Sequence, residues 1–199
     1  MFKPSYLFCM LFATLTLTSQ AQSNELYPYE ASDSHPFGQP NKAAPEEIKG
    51  FAPLIGDSQC TSENRAPDGT WNKPTDMTWR FRYIMNGMAL QDETLKADQA
   101  HSGSIRQFDS KSGKWFVHYY SSSNPAANPL PTWEGGKIAN GNIVLYRPQK
   151  APNGTEGNFR LTFFDISSSG FNWVGEWVSQ DESVVYPTWK IACKKRKIR

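Results

Sequence analysis

From about residue 57 onward, apolar and polar residues alternate with a period of two, the spacing of strands with one buried face. Trp79-Arg80-Phe81-Arg82-Tyr83 is the clearest run. Ten such segments are expected, at roughly 57–63, 76–85, 88–96, 102–109, 114–121, 131–139, 142–147, 157–166, 171–179 and 184–193. Turn chemistry separates them. Asn86-Gly87 and Asn140-Gly141 are two-residue hairpin signals, because a type I′ turn needs left-handed backbone at both positions. Asp109–Gly113 and Ser167–Gly170 suit four-residue loops closing on a left-handed glycine. Ahead of the strands, Ala44-Pro45-Glu46-Glu47 reads as a helix start, with proline early and acids in the first turn. That short helix runs through Leu54 and ends at Gly56. Ten short strands joined by tight turns make an antiparallel meander, which either leaves two edges open or curls into a barrel. The chain has no internal repeat, which argues against a propeller or solenoid.

The ends read differently. Lys3, an apolar run from Tyr6 to Leu17 and the small residues Ser19 and Ala21 follow the order of a secretory signal peptide, cleaved near Ala21. The apolar run is about a dozen residues, and a membrane-spanning helix needs roughly 20. Residues 22–43, rich in Ser, Pro, Asn and Gln, read as a flexible leader. The domain then spans 44–193, and 194–199 is a basic tail. Export, to the periplasm or outside the cell, gives the remaining cysteines a context. Cys60 and Cys193 are an even pair in an oxidising compartment, and a bridge between them would make the first and last strands neighbours. The alternative is two free, buried thiols.

Charge excludes one class of function. The chain has 21 basic and 19 acidic residues. Without residues 1–21 and the five cations of the tail, the remaining body carries about −4, which is poor evidence for nucleic-acid binding. The tail reads as a solvated terminus, with weak contact to an anionic surface as the alternative.

Hairpin registers place individual side chains. With Asn86-Gly87 as the turn, Tyr83 faces Leu90, Phe81 faces Asp92 and Trp79 faces Thr94, and cross-strand partners share a face. That face is apolar apart from Asp92 and Thr94, so it points inward. The opposite face pairs Arg82 with Gln91 and Arg80 with Glu93, which suits solvent. With Ser110–Gly113 as the next loop, Phe108 faces Trp115, Arg106 faces Val117 and Ser104 faces Tyr119. Arg106 then joins Asp92 inside. A buried carboxylate is costly unless paired, and Arg106 is one hairpin away. The pair reads either as a polar anchor for a ligand with an apolar body or as an ion pair that fixes barrel packing. His118 falls on the outer face. Glu176 is expected opposite Leu161, with its face left ambiguous because Trp173 and Trp177 dominate the other one, and Trp133 and Trp189 read as core, with ligand stacking as the alternative.

The helix ending in Leu54-Ile55-Gly56, the run Trp79–Tyr83, the Asn86-Gly87 hairpin and the segments Ile105–Asp109, Gly113-Lys114-Trp115 and Thr162–Ile166 resemble the calycin superfamily of up-and-down barrels. Within it they resemble a group of bacterial proteins of unknown function. The resemblance covers about residues 46–195 and implies an all-β, antiparallel, calycin-like barrel of about ten strands with a short N-terminal helix. Lipocalins and nitrobindin-like barrels carry Gly-x-Trp at the first strand. Here Gly56-Asp57-Ser58 lacks the Trp that plugs the barrel floor. The haem role of nitrobindin-like barrels needs a histidine in a late segment, where this chain has none, so no cofactor is expected.

Motifs for metal, nucleotide or nucleophilic chemistry are absent: no His-x-x-x-His, Cys-x-x-Cys, Gly-x-x-x-x-Gly-Lys or Gly-x-Ser-x-Gly occurs. The expectation is an exported binding protein for a small apolar or amphipathic ligand, lined by Trp79, Phe81, Tyr83, Leu90, Trp115 and Tyr119 and anchored by Asp92 and Arg106. Two alternatives remain: an isomerase- or cyclase-type enzyme using Asp92 as its acid or base, and an envelope or protein interaction module. Barrels lend themselves to all three, since fold does not imply function.

Overall fold

The computed structural model describes residues 26–136, 138 and 140–196. The expected signal peptide, residues 1–21, the first four residues of the expected leader and residues 197–199 of the expected tail lie outside the described residues. Ten strands form: Gly56–Asn64 (β1), Thr75–Ile84 (β2), Ala89–Lys96 (β3), Ser102–Asp109 (β4), Lys114–Ser121 (β5), Thr132–Gly135 (β6), Ile143–Pro148 (β7), Gly157–Phe164 (β8), Gly170–Ser179 (β9) and Val185–Lys195 (β10). Each pairs antiparallel with its neighbours in sequence, and β10 returns beside β1 to close the barrel. Closure leaves no open sheet edge.

A disulfide joins Cys60 to Cys193 directly across the β1–β10 seam. Both cysteines face the interior and are buried. The bridge expected from the cysteine count therefore holds the two ends of the meander together.

The inner face follows the period of two. On β2 the inward residues Met77, Trp79, Phe81 and Tyr83 are buried, while the residues between them are partly exposed. The rings of Trp79, Phe81, Phe163 and Phe171 pack at centroid distances of 5.3 to 6.2 Å. These aromatic contacts supply the bulk of the core.

The helix Glu46–Leu54 is a 3-10 helix with Pro53 inside it. It is not N-terminal in the chain, since residues 26–43 precede it. Gly50 and Pro53 weaken an α-helix, and the 3-10 form has three residues per turn. Ile48, Phe51 and Leu54, three apart, thus share one face, and all are fully buried. That face closes the barrel at the end where β1 begins. Phe51 packs edge-on against Trp115 at 4.7 Å. Three helical side chains fill this end of the barrel, where the first strand carries no Trp.

The segment read as a leader makes a belt of hydrogen bonds around the β2–β3 turn. Tyr29 N donates to Asn86 Oδ1 at 3.0 Å, Asn41 Nδ2 donates to Asn86 O at 2.9 Å, and Tyr83 N donates to Phe37 O at 2.9 Å. Gly87 is needed there twice over. Its φ is +77°, and a Cβ would lie 2.3 Å from Gln39 O. At the other terminus β10 runs to Lys195, so Lys194 and Lys195 are strand residues and not part of a tail. Arg196 N donates to Asp57 O at 2.9 Å.

Two registers differ from expectation. β8 and β9 pair Arg160 with Glu176 and Leu161 with Gly175, one residue away from the expected Leu161–Glu176 pairing. The left-handed residue of that turn is Asp165, at φ 52°, and Gly170 instead begins β9. A one-residue slip exchanges the faces, and it sends Glu176 outward, where Arg160 Nη2 meets it at 2.8 Å. β6 is the second case. It stops at Gly135, and among the described residues β6 meets β7 only at Glu134–Tyr146. Asn140 and Gly141 both take positive φ as expected, but they close a wider loop.

Candidate functional site

The interior is filled at the helix end and open at the other. Above the packed rings lies a cavity of about 300 Å3. Its deep part is bounded by Trp79, Asp92, Ser104, Arg106 and Val117. Toward the mouth the wall passes to Tyr119, Trp133, Arg147, Phe159 and Trp189.

Asp92 and Arg106 stand at its base as an ion pair, and only 4% and 2% of their surfaces are exposed. The hairpin registers that predicted their meeting are those observed: Phe81 faces Asp92, Asp92 faces Ser104 and Arg106 faces Val117. Asp92 Oδ1 accepts hydrogen bonds from Ser104 Oγ and Arg106 Nη1, and Oδ2 accepts one from Trp79 Nε1 at 2.8 Å. The guanidinium carbon also lies 5.1 to 5.9 Å from the ring centroids of Phe51, Phe81 and Phe163. Those rings attract the cation. Burial pushes the Arg106 guanidinium down to about 9, and the carboxylate against it favours the charged form. At neutral pH it is a cation on either count.

This arrangement sets what Asp92 can do. Both its oxygens are engaged, one by a cation. Proton exchange with a substrate would first have to break contacts that hold the barrel base together, so the geometry suits an anchor better than a general acid or base.

Of the eight residues expected around a ligand, Trp79, Asp92, Arg106 and Tyr119 line the cavity. Phe81, Tyr83, Leu90 and Trp115 are buried on the same inward face, but deeper, in the filled end of the barrel. Alternation specifies a side chain's face and says nothing of its depth along the barrel axis. The other wall residues were not in the expected lining, Trp133, Trp189, Arg147 and Phe159 among them. Trp133 and Trp189 were read as core; they pack edge-on against Phe159 at 6.2 Å and Trp173 at 5.0 Å, with the cavity beside them. Arg147 shares the inward register of Ile143 and Leu145, a signal present in the sequence. Phe159 alternates with Leu161 and Phe163, so its inward face was also legible, though not its place at the mouth.

His118 lies on the outer side of β5, and its Nδ1 is 3.0 Å from Thr132 Oγ1. Among the described residues no group of three or more His, Cys, Asp or Glu could hold a metal ion. No described helix is long and apolar enough to cross a membrane.

No protein-family model matches the chain, and no curated protein does. Among solved structures it is similar to Rv2717c of M. tuberculosis, at 10% identity and a TM-score of 0.49, over 77% of this chain and 99% of that one. It is also similar to a protein of unknown function from the DUF3598 family of Nostoc punctiforme, at 6% identity and a TM-score of 0.25, over 76% of this chain and 100% of that one. Similarity at this level carries nothing about chemistry.

Proposed function

We propose that the chain is an exported, calycin-like barrel that holds a small, largely apolar molecule in the cavity above Asp92 and Arg106. The observation that carries the reading is the cavity itself. It is mostly apolar and aromatic, it has a few fixed polar groups, and its volume of about 300 Å3 matches the lower end of small-molecule sites. A core built only for packing has few voids larger than a water molecule. The volume suits a molecule of two or three rings or a short chain.

Export is supported by the N-terminal pattern of the sequence and by the buried disulfide, which persists in oxidising compartments. N-terminal sequencing of the protein recovered from a periplasmic fraction should read from Gln22.

Binding is tested by titration with N-phenyl-1-naphthylamine, a neutral probe whose emission rises in apolar surroundings. Saturable binding with one site per chain is expected. Ser102 stands at the rim, its Oγ 2.6 Å from Thr94 Oγ1. Ser102→Trp should fill the opening and abolish binding, with the thermal unfolding midpoint as a check on folding. No saturable binding by the unaltered protein, or equal binding by a folded Ser102→Trp variant, rules the reading out.

A further inference from the structure

The mouth of the cavity presents hydrogen-bond donors whose capacity is only partly used. Arg147 lines it with its guanidinium 4.4 Å from the Trp133 ring centroid, and Nη2 donates to Gln149 Oε1 at 2.7 Å. Among the described residues it forms no ion pair. Burial lowers its pKa from the ordinary arginine value, as desolvation does to a cation without a counter-charge. Trp133 is 8% exposed, and its buried Nε1 has no partner. Tyr119, whose ring packs on Trp133 at 6.1 Å, has no partner for its hydroxyl among the described residues.

The two guanidiniums of the lining therefore differ. The deep one, Arg106, is neutralised by Asp92. The outer one, Arg147, has only a neutral amide and an aromatic face. The ring of Trp133 covers one side of its plane, and the in-plane N–H groups not used on Gln149 remain for an acceptor. A planar fork of this kind matches a carboxylate. A buried donor without an acceptor is costly, more so when charged, and an anion at the mouth removes that cost.

We infer that the ligand is an amphiphilic monoanion, its apolar body in the cavity and its carboxylate-type head at the mouth against Arg147. This rests on the binding reading above and narrows it. It also orients the ligand, because Arg106, although its buried Nε lacks a hydrogen-bond partner, already has the Asp92 carboxylate as its counter-charge, whereas Arg147 has none among the described residues.

The test compares two probes of one shape, 2-naphthoate and 2-naphthamide, by displacement of N-phenyl-1-naphthylamine. The anion should bind about tenfold more tightly, the scale of one charge-assisted hydrogen bond. Arg147→Gln should bring the two affinities within about threefold of each other, and Arg147→Lys should restore part of the preference. Equal affinities in the unaltered protein, or a preference that survives Arg147→Gln, overturns the inference and leaves the apolar-ligand reading standing. Binding of none of the three probes overturns both.

Discussion

Asp92→Asn tests whether the base of the cavity is a dry ion pair. The substitution keeps the shape and removes the charge. Arg106 is then a buried cation with 2% of its surface exposed and no anion in reach. The new amide also presents an N–H2 group where three donors converge, from Trp79, Ser104 and Arg106. Breaking a buried pair from one side costs about 3–5 kcal/mol, a large share of a total stability of about 5–15 kcal/mol. With a urea dependence of about 2 kcal/mol per M, the unfolding midpoint should fall by about 2 M under non-reducing conditions. The double variant Asp92→Leu/Arg106→Met should lose less than Asp92→Asn alone, because no charge is left unpaired and the three surrounding rings can pack on the thioether. A double-mutant cycle then isolates the coupling. The cavity touches both residues, so water is the competing stabiliser. If Asp92→Asn moves the midpoint by less than about 0.5 M, cavity water solvates the guanidinium and the dry-pair argument is wrong.

Three further outcomes follow from the same structure. Cys60→Ala/Cys193→Ala opens a loop of 133 residues, for which loop-closure entropy predicts a loss of up to about 5 kcal/mol, and a chemical-denaturation shift under about 1 kcal/mol would refute that account. Phe51→Ala removes the fully buried floor residue between Trp115 and Arg106 and should cost about 3–5 kcal/mol in urea unfolding; a cost below about 1 kcal/mol would mean that the helix does not seal the barrel. Lys195 donates to Ile55 O, and burial pulls its ammonium down to about 8. Its charged form is disfavoured in the fold, so the penalty is full below pH 8 and is relieved as pH rises toward the ordinary lysine value of 10.5. Stability should therefore rise more steeply between about pH 8 and 9 in the unaltered protein than in Lys195→Met, which keeps only the contribution of other groups such as Arg106; the difference is kept small by the group's partial exposure and is read from urea midpoints across that range.

Legibility in the sequence depended on how local the cause was. Asn86-Gly87 set the β2–β3 register residue by residue, and the Asp109–Gly113 loop did the same for β4–β5. Asp92 and Arg106 could be placed together because only 14 residues and one turn separate them, and the hairpins on either side fix their faces. The β8–β9 turn misled, because two residues were able to supply the left-handed position and Asp165 took it in place of Gly170. The hydrogen bonds of residues 29–41 were invisible for another reason. They run mostly through backbone atoms and leave no hydrophobic period.

The sequence by itself determined strand positions, most inward faces and the deep ion pair, since alternation and turn chemistry act within a dozen or so residues, and its even cysteine count pointed to the disulfide. Only the tertiary structure decided where along the barrel axis each inward side chain lies. The helix Glu46–Leu54 fills one end, and that converts Phe81, Tyr83, Leu90 and Trp115 from expected lining into packed core. The other end stays open, and there Tyr119, Trp133, Arg147, Phe159 and Trp189, from five different strands, come to surround one cavity. Depth follows from closure and from what plugs the barrel, and both are set by contacts across more than a hundred residues of chain.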